Sequence, residues 1–367
     1  MAEEHIQGDI PSPTSWITVD DGIRLFLRRW IPVNPVRAIV LIVHGMAEHS
    51  LRYEPLALRL AGEGFEVWAA DARGHGMTAD RRMKPDRRAK KPGGQGAGID
   101  NRRIKPDRRA NPAAPVLNAG MSRAANDHGK GGLLGHCADR NGFFRVVADI
   151  NILVDAVKEA HPDLPLFILG HSWGSFLAQA YIETHGDRLA GCLLSGTRGL
   201  VGVQINFGAL LMSFFAILRG KRRFSVLSWA VANGSYNKHF RPNRTFFDWL
   251  SRDEQSVDAY IADPLCGFGC SSGFYRDLIC GIRDIHRPKA MAGIPQSLPI
   301  YIFCGSADPV GDMGESPTAL VTAYRSLGIR DLEFVLYPDA RHELLSETNR
   351  EEVMGNILRW LTRRLPQ

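Results

Sequence analysis

Residues 164 to 175 read Leu-Pro-Leu-Phe-Ile-Leu-Gly-His-Ser-Trp-Gly-Ser. An apolar run ends at Gly170, a serine stands two residues on, Gly174 follows, and Phe176 to Tyr181 carries helix-forming Leu, Ala and Gln. The pattern is strand, tight turn, helix, with Ser172 at the turn. A serine on so sharp a turn takes strained backbone angles. Its neighbours two positions either side must lack side chains for the chain to fold back. Such a turn aims Ser172 Oγ out of a sheet edge. A hydroxyl is a poor nucleophile at neutral pH, so it also needs a histidine base, an acid to orient that base, and N–H donors for the oxyanion.

Candidates for each role follow at strand exits. Leu298 to Cys304 is an apolar run ending in Gly305-Ser306-Ala307-Asp308-Pro309-Val310-Gly311, and a carboxylate there, Asp308, is placed to orient a histidine. Leu332 to Tyr337 is the last strand, and the loop beyond it carries His342, the one histidine after both Ser172 and Asp308. Upstream, the aliphatic run Ala38 to Val43 stops at His44-Gly45-Met46-Ala47-Glu48-His49-Ser50. The backbone N–H groups of Met46 and Trp173 are the oxyanion donors expected from these loops. His75, flanked by Gly74 and Gly76, reads as part of a structural turn.

The elements that must hold these loops alternate. Trp16 to Val19 and Ile23 to Trp30 flank Asp20-Asp21-Gly22 and read as a hairpin. Leu51 to Gly62 has helical spacing, Phe65 to Ala70 is a strand, Phe143 to Ala160 a helix, and Leu189 to Ser195 a buried strand. Asn349 to Leu361 closes the chain as an amphipathic helix. Strands alternating with helices specify a mostly parallel sheet covered on both faces.

Two stretches depart from the alternation. Arg81 to Ala89 recurs as Arg102 to Ala110 with one change, Met83 to Ile104, at a period of 21 residues. Residues 80–130 hold 14 Lys and Arg against 5 Asp, so the local charge is +9 and the remainder of the chain, net +6 overall, carries −3. Rich in Pro and Gly and poor in large apolar residues, this segment is expected to be a disordered insertion. No aromatic residue lies within it to stack on a base, which leaves no specific nucleic acid partner, only sequence-blind contact with phosphates such as anionic lipid head groups. From Thr197 to Gln296 the second departure reads as a helical cap: Leu200 to Leu218 is apolar, with Gln204, Asn206 and Ser213 interrupting it and Arg219 to Arg223 basic beyond. Those polar residues favour a cap helix over a membrane span, with Phe207, Leu211 and Phe215 as candidate substrate-pocket residues. Trp229, Tyr236, Phe246, Phe247, Trp249 and Phe268 make the cap aromatic, most of them for packing and a minority as pocket wall.

At 367 residues, 44% hydrophobic and 23% charged, the chain suits one large α/β domain with an inserted subdomain. Expected boundaries are 1–79, first part of the core; 80–130, basic insertion; 131–196, core with the nucleophile turn; 197–296, cap; 297–367, core with acid and base loops. Six cysteines without CxxC spacing read as free thiols, giving neither a zinc site nor a disulfide framework. Met1 to Ser15 is polar and acidic with no cationic-then-apolar signal, so the expected location is cytoplasmic, with peripheral contact on anionic membranes through the insert or cap.

With nucleophile, acid and base in the order Ser172, Asp308, His342, the chain resembles the α/β-hydrolase fold, and within it the monoacylglycerol lipase and lysophospholipase family of S33-type hydrolases. The matching motifs are HGMAEHS with Arg52-Tyr53, DARGHG, GHSWGS, GSADPVG and YPDARHE. The resemblance implies an eight-stranded, mostly parallel sheet with helices on both faces and a mainly helical cap inserted after strand 6. It also implies hydrolysis, through an acyl-enzyme and without metal or organic cofactor, of carboxylic esters of single-chain lipids, a monoacylglycerol or a lysophospholipid. Alternatives are a small-ester esterase or aminopeptidase of the same fold, or a non-catalytic scaffold that binds anionic surfaces through the insert. Trp173 and Ser175 stand where such relatives carry Met or Gln and Gly, and are expected to narrow the pocket. Oligomeric state is left open.

Overall fold

The computed structural model describes residues 12–79, 99–100, 133–200, 202, 204–224 and 236–366. In chain order the strands are β1 (Thr14–Thr18), β2 (Arg24–Trp30), β3 (Ala38–Val43), β4 (Phe65–Asp71), β5 (Ile99–Asp100), β6 (Leu166–His171), β7 (Gly191–Ser195), β8 (Ile300–Gly305) and β9 (Leu332–Tyr337). They form one sheet in the order β5-β1-β2-β4-β3-β6-β7-β8-β9. The hairpin and its junction with β4 are antiparallel, and every pair from β4·β3 to β8·β9 is parallel. Eight strands are those read from the sequence. The two-residue β5 is an addition that pairs antiparallel with β1 at the sheet edge. Apart from β5, the insertion expected to be disordered lies outside the described residues.

The central strands are apolar on both faces because both are covered. Along β3, Ile39, Leu41 and Val43 enter one core cluster while Ala38, Val40 and Ile42 enter the other, and β6 divides in the same way. The first cluster packs against α2 (Gly142–Ala160), α3 (Trp173–His185) and a later helix (Glu315–Ser326); the second packs against α1 (Glu54–Gly62) and the C-terminal helix (Arg350–Thr362). The candidate loops therefore leave the same ends of adjacent parallel strands, the crevice where ligands of such sheets bind.

Between β7 and β8 lie α4 (Gln204–Arg219), α5 (Glu254–Ala262) and α6 (Ser272–Ile285). Asp253 and Ser271 cap the last two, accepting from Gln255 and Ser256 N–H and from Phe274 N–H. On α4, Ala209, Met212 and Ala216 are buried, while Phe207, Leu210, Phe214 and Ile217 are 70, 69, 54 and 76% exposed. Small residues on the inner face let α4 lie close to α6, where a Cβ on Gly208 would sit 3.9 Å from Ile279. Among the described residues no helix is long and apolar enough to cross a membrane.

Candidate active site

Ser172 sits between β6 and α3 at φ 53°, ψ −121°, the strained turn its motif required. The flanking glycines have no alternative. A Cβ on Gly170 would lie 2.4 Å from the Gly174 carbonyl oxygen, and one on Gly174 would lie 2.1 Å from that of Val43. The turn thus depends on close backbone approach to its own helix and to β3.

Ser172 Oγ lies 2.8 Å from His342 Nε2, and His342 Nδ1 lies 2.9 Å from Asp308 Oδ2. The serine and histidine are 170 residues apart and the histidine and aspartate 34 apart, yet β6, β8 and β9 bring them to one rim. Asp308 is fully buried, and its other oxygen accepts the Val310 N–H at 2.8 Å, which fixes the carboxylate toward the imidazole. Burial alone lowers the His342 pKa, but the charge of Asp308 and its hydrogen bond outweigh burial, and the net result lies above the ordinary histidine value. A neutral His171 stands beside it, its pKa held down to about 4 by burial and by the neighbouring His342 charge.

The loop after β3 reaches the serine directly: a Cβ on Gly45 would be 3.3 Å from Ser172 Cβ. Met46 follows it on the cavity wall, and Trp173 opens α3, where backbone N–H groups have no intrahelical partner. Several groups hold this loop. His44 Nε2 accepts the Ala72 N–H at 2.9 Å, so Nδ1 carries the proton and donates to the Gly45 carbonyl at 2.8 Å. Buried Glu48 accepts from the Gly45 N–H and, at 2.7 Å, from the Tyr53 hydroxyl. Arg52 then bridges Glu48 to Glu343, the residue after His342, with contacts of 2.7 and 2.6 Å to the two Glu343 oxygens. From the cap, Gly267 N–H and the Tyr260 hydroxyl both donate to the Ala47 carbonyl, at 2.9 and 3.0 Å.

Above Ser172 is a cavity of about 180 Å³ with Met46, His171, His342, Phe246, Phe247, Trp249, Leu250, Tyr260, Phe268 and Tyr275 in its wall. Its apolar wall comes from other parts of the cap than expected. Phe207 points to solvent, and neither it nor Leu211 is among the described residues of this wall; the side chain of Phe215 lies outside the described residues. Of the cap aromatics, Phe246, Phe247, Trp249 and Phe268 line the cavity, Tyr236 packs on Trp249 with ring centres 4.9 Å apart, and Trp229 lies outside the described residues. Trp173 and Ser175 do not narrow this cavity. The indole turns away to stack on buried His75 at 4.9 Å, and Ser175 Oγ donates to the Ser172 carbonyl at 2.6 Å. His75 belongs to that packing and does not touch the serine.

All six cysteines are free. Among the described residues one group could ligate a metal: His49, Asp263 and Cys266, with ligand atoms within 4.8 Å of one another. His49 Nε2 and Asp263 Oδ2 already pair at 2.7 Å, which ties the loop after β3 to the cap.

A family model described as "Serine aminopeptidase, S33" matches residues 34–90 and 109–349. The chain belongs to this family. It is a carboxylic ester hydrolase of the α/β-hydrolase fold, as its motifs implied. It is 24% identical over 349 residues to the monoacylglycerol lipase of Mycolicibacterium smegmatis, covering 94% of this chain and 95% of that protein. The human monoglyceride lipase is 26% identical over 351 residues, with 94 and 88% covered. Among solved structures, a thermostable carboxyl esterase from Bacillus coagulans superposes with a TM-score of 0.76 at 25% identity, covering 96% of this chain and 98% of that one. A soluble variant of the Saccharomyces cerevisiae monoglyceride lipase shares the fold, with a TM-score of 0.66 at 18% identity and both chains covered completely.

Proposed function

We propose that the protein hydrolyses carboxylic esters of single-chain lipids, with Ser172 as nucleophile, His342 as base and Asp308 orienting it. The observation that carries this reading is the unbroken relay from Ser172 Oγ through His342 to Asp308, at 2.8 and 2.9 Å, on the floor of an aromatic cavity. His342 Nε2 takes the hydroxyl proton as Oγ attacks the ester carbonyl; the N–H groups of Met46 and Trp173 receive the oxyanion. The imidazolium then returns its proton to the leaving alcohol, and water, activated by the same nitrogen, releases the acid.

The lining supports an uncharged substrate, a monoacylglycerol ahead of a lysophospholipid. Among the described residues no Lys or Arg lines the cavity to receive a phosphate. Glu48 and Glu343, which do line it, are both engaged by Arg52 and leave no free carboxylate for the amine of a peptide N-terminus. Outside, the exposed apolar strip of α4, followed by Lys221, Arg222 and Arg223, supports docking of the cap on an anionic lipid surface from which such a substrate would enter.

A panel of monoacylglycerol, lysophosphatidylcholine and an aminoacyl-anilide, assayed with wild type and Ser172→Ala, tests the reading. Hydrolysis of the monoacylglycerol fastest, with about a 10⁴-fold or greater loss in the variant, is expected. Turnover of the anilide alone, or equal rates for both proteins, would overturn it.

A further inference from the structure

We propose that Trp249, a cap residue, is a positioning residue for the base: its indole face holds the His342 imidazole toward Ser172 and favours the imidazolium that forms as the proton moves. This deepens the reading given above and rests on it.

The indole and imidazole ring centres lie 5.1 Å apart, tilted by 37°, and the His171 ring also packs on the imidazole at 5.0 Å and 44°. Two rings therefore pack on His342, and only one of them comes from the hydrolase body. The indole reaches it because the cap backbone runs beside the base loop. His342 N–H donates to the Trp249 carbonyl at 3.4 Å and Glu343 N–H to that of Leu250 at 2.7 Å. Arg341 donates to the carbonyls of Asp248 and Ser251, the latter at 3.1 Å, and Ser251 Oγ donates to that of Ser346 at 2.8 Å. The Trp249 N–H is itself fixed, donating to Asn237 Oδ1 at 3.0 Å. None of these contacts uses the indole. Replacing the side chain therefore leaves the backbone clamp in place and isolates what the ring does.

An aromatic face attracts a cation through its quadrupole, and more strongly where water is excluded. When His342 is neutral this attraction is absent; it appears with the imidazolium, so it acts on the transition state more than on bound substrate. The charged and titratable groups that face the imidazole are Asp308, Glu343, Glu48 and His171, with Tyr236 behind the indole. All of them persist when only Trp249 changes, so a displaced acid limb would report the indole itself.

The test uses the full chain with Trp249→Phe, which keeps an aromatic face, and Trp249→Leu and Trp249→Met, which keep apolar bulk without one. Three readouts are taken between pH 5 and 9: kcat and KM on a soluble p-nitrophenyl ester, the rate of Ser172 labelling by a fluorophosphonate, and thermal melting. We expect the Leu and Met variants to lose about 2- to 30-fold in kcat and in labelling rate, the equivalent of a cation–π contact of about 0.5–2 kcal/mol. Their KM should stay within about 2-fold, since the contact matters little before proton transfer. Their acid limb should move to lower pH, and the Phe variant should recover most of the rate. A folded Leu or Met variant with wild-type kcat and an unmoved limb, or a loss confined to KM, would reduce Trp249 to pocket wall and overturn the proposal. Failure of the wild type to label at Ser172 would instead overturn the hydrolase reading.

Discussion

Arg52→Met should damage stability and turnover together, because Arg52 holds two buried carboxylates on two different loops. Glu48 is 3% and Glu343 7% exposed, and the guanidinium reaches both. Burial raises the Glu48 pKa, but the opposing charge of Arg52, with smaller contributions from His171 and His44 and a hydrogen bond from Tyr53, brings it down to about 2. Against its ordinary value of 4.5 this displacement is worth about 3–4 kcal/mol at roughly 1.4 kcal/mol per unit, in the range of about 3–5 kcal/mol for removing one partner of a buried pair. Because the folded pKa is the lower one, this stability is present above pH 4.5 and is lost as pH falls toward 2. The variant's deficit in urea unfolding should thus be full at pH 7 and shrink below pH 4. Turnover should fall as well, since Glu48 accepts the Gly45 N–H next to Met46, the proposed oxyanion donor, and a misplaced donor of that kind costs about 10²–10³ in rate. Adding Glu343→Gln to Arg52→Met removes one orphaned charge and should recover part of the stability, a non-additivity that a double-mutant cycle reads directly. An Arg52→Met protein within about 1 kcal/mol of wild type at pH 7, with unchanged kcat, would refute the reasoning, since surface-like pairs are worth no more than that.

Two further outcomes follow from the ionisable groups. His342 must be neutral to serve as the proposed base, and its pKa is raised from 6.5, so kcat/KM should fall as pH drops through a midpoint above 6.5; in Asp308→Asn, with the raising charge gone and burial left, the residual activity should show its limb at lower pH. An initial-rate profile checks both, and a wild-type midpoint below 6.5 contradicts the geometry. Glu183, on α3, has a buried Oε1 without a partner, and burial pushes its pKa up to about 9. The fold favours its neutral form, so stability is full below about pH 4.5 and is lost as pH rises toward 9, and Glu183→Gln should gain about 1–3 kcal/mol at pH 8 and little at pH 4. Thermal melts at the two pH values decide, equal gains at both being the contrary result.

Much of this was legible from residue order because the chemistry constrains the backbone. Gly170 and Gly174 are spaced by the turn that aims Ser172, and β3, β6 and β8 announce themselves as apolar runs since both faces are covered. Asp308 and His342 were singled out from their places after late strands, and the fold brings both side chains to Ser172. The pairing of Arg52 with Glu343 was not, since the two are 291 residues apart and nothing local in either loop requires the other. The motifs containing them could be quoted without revealing that one side chain joins them.

The cap was misread for a physical reason that also explains its use. An apolar helix such as α4 shows, in sequence, that it is apolar but not which face turns inward; large Phe and Leu residues suggested the pocket, whereas close packing on α6 selected the small Ala209 and Ala216 with Met212. The bulky face, Phe207 to Ile217, was thereby left outward, where it suits a lipid surface better than a binding cavity. Much of the wall came instead from the irregular chain between Phe246 and Leu250, which has no periodicity to read, joined by Tyr260 of α5, Phe268, and Tyr275 of α6. Irregular chain can follow a loop of the body closely and donate to it or accept from it, as 248–251 does along 341–346. The same cap thus divides its work: a regular helix meets the surroundings, and an aperiodic segment is fastened to the base. A change that loosens α4 from α6 should therefore alter access to lipid while leaving His342 in place, whereas a change in the 248–251 backbone should disturb the chemistry itself.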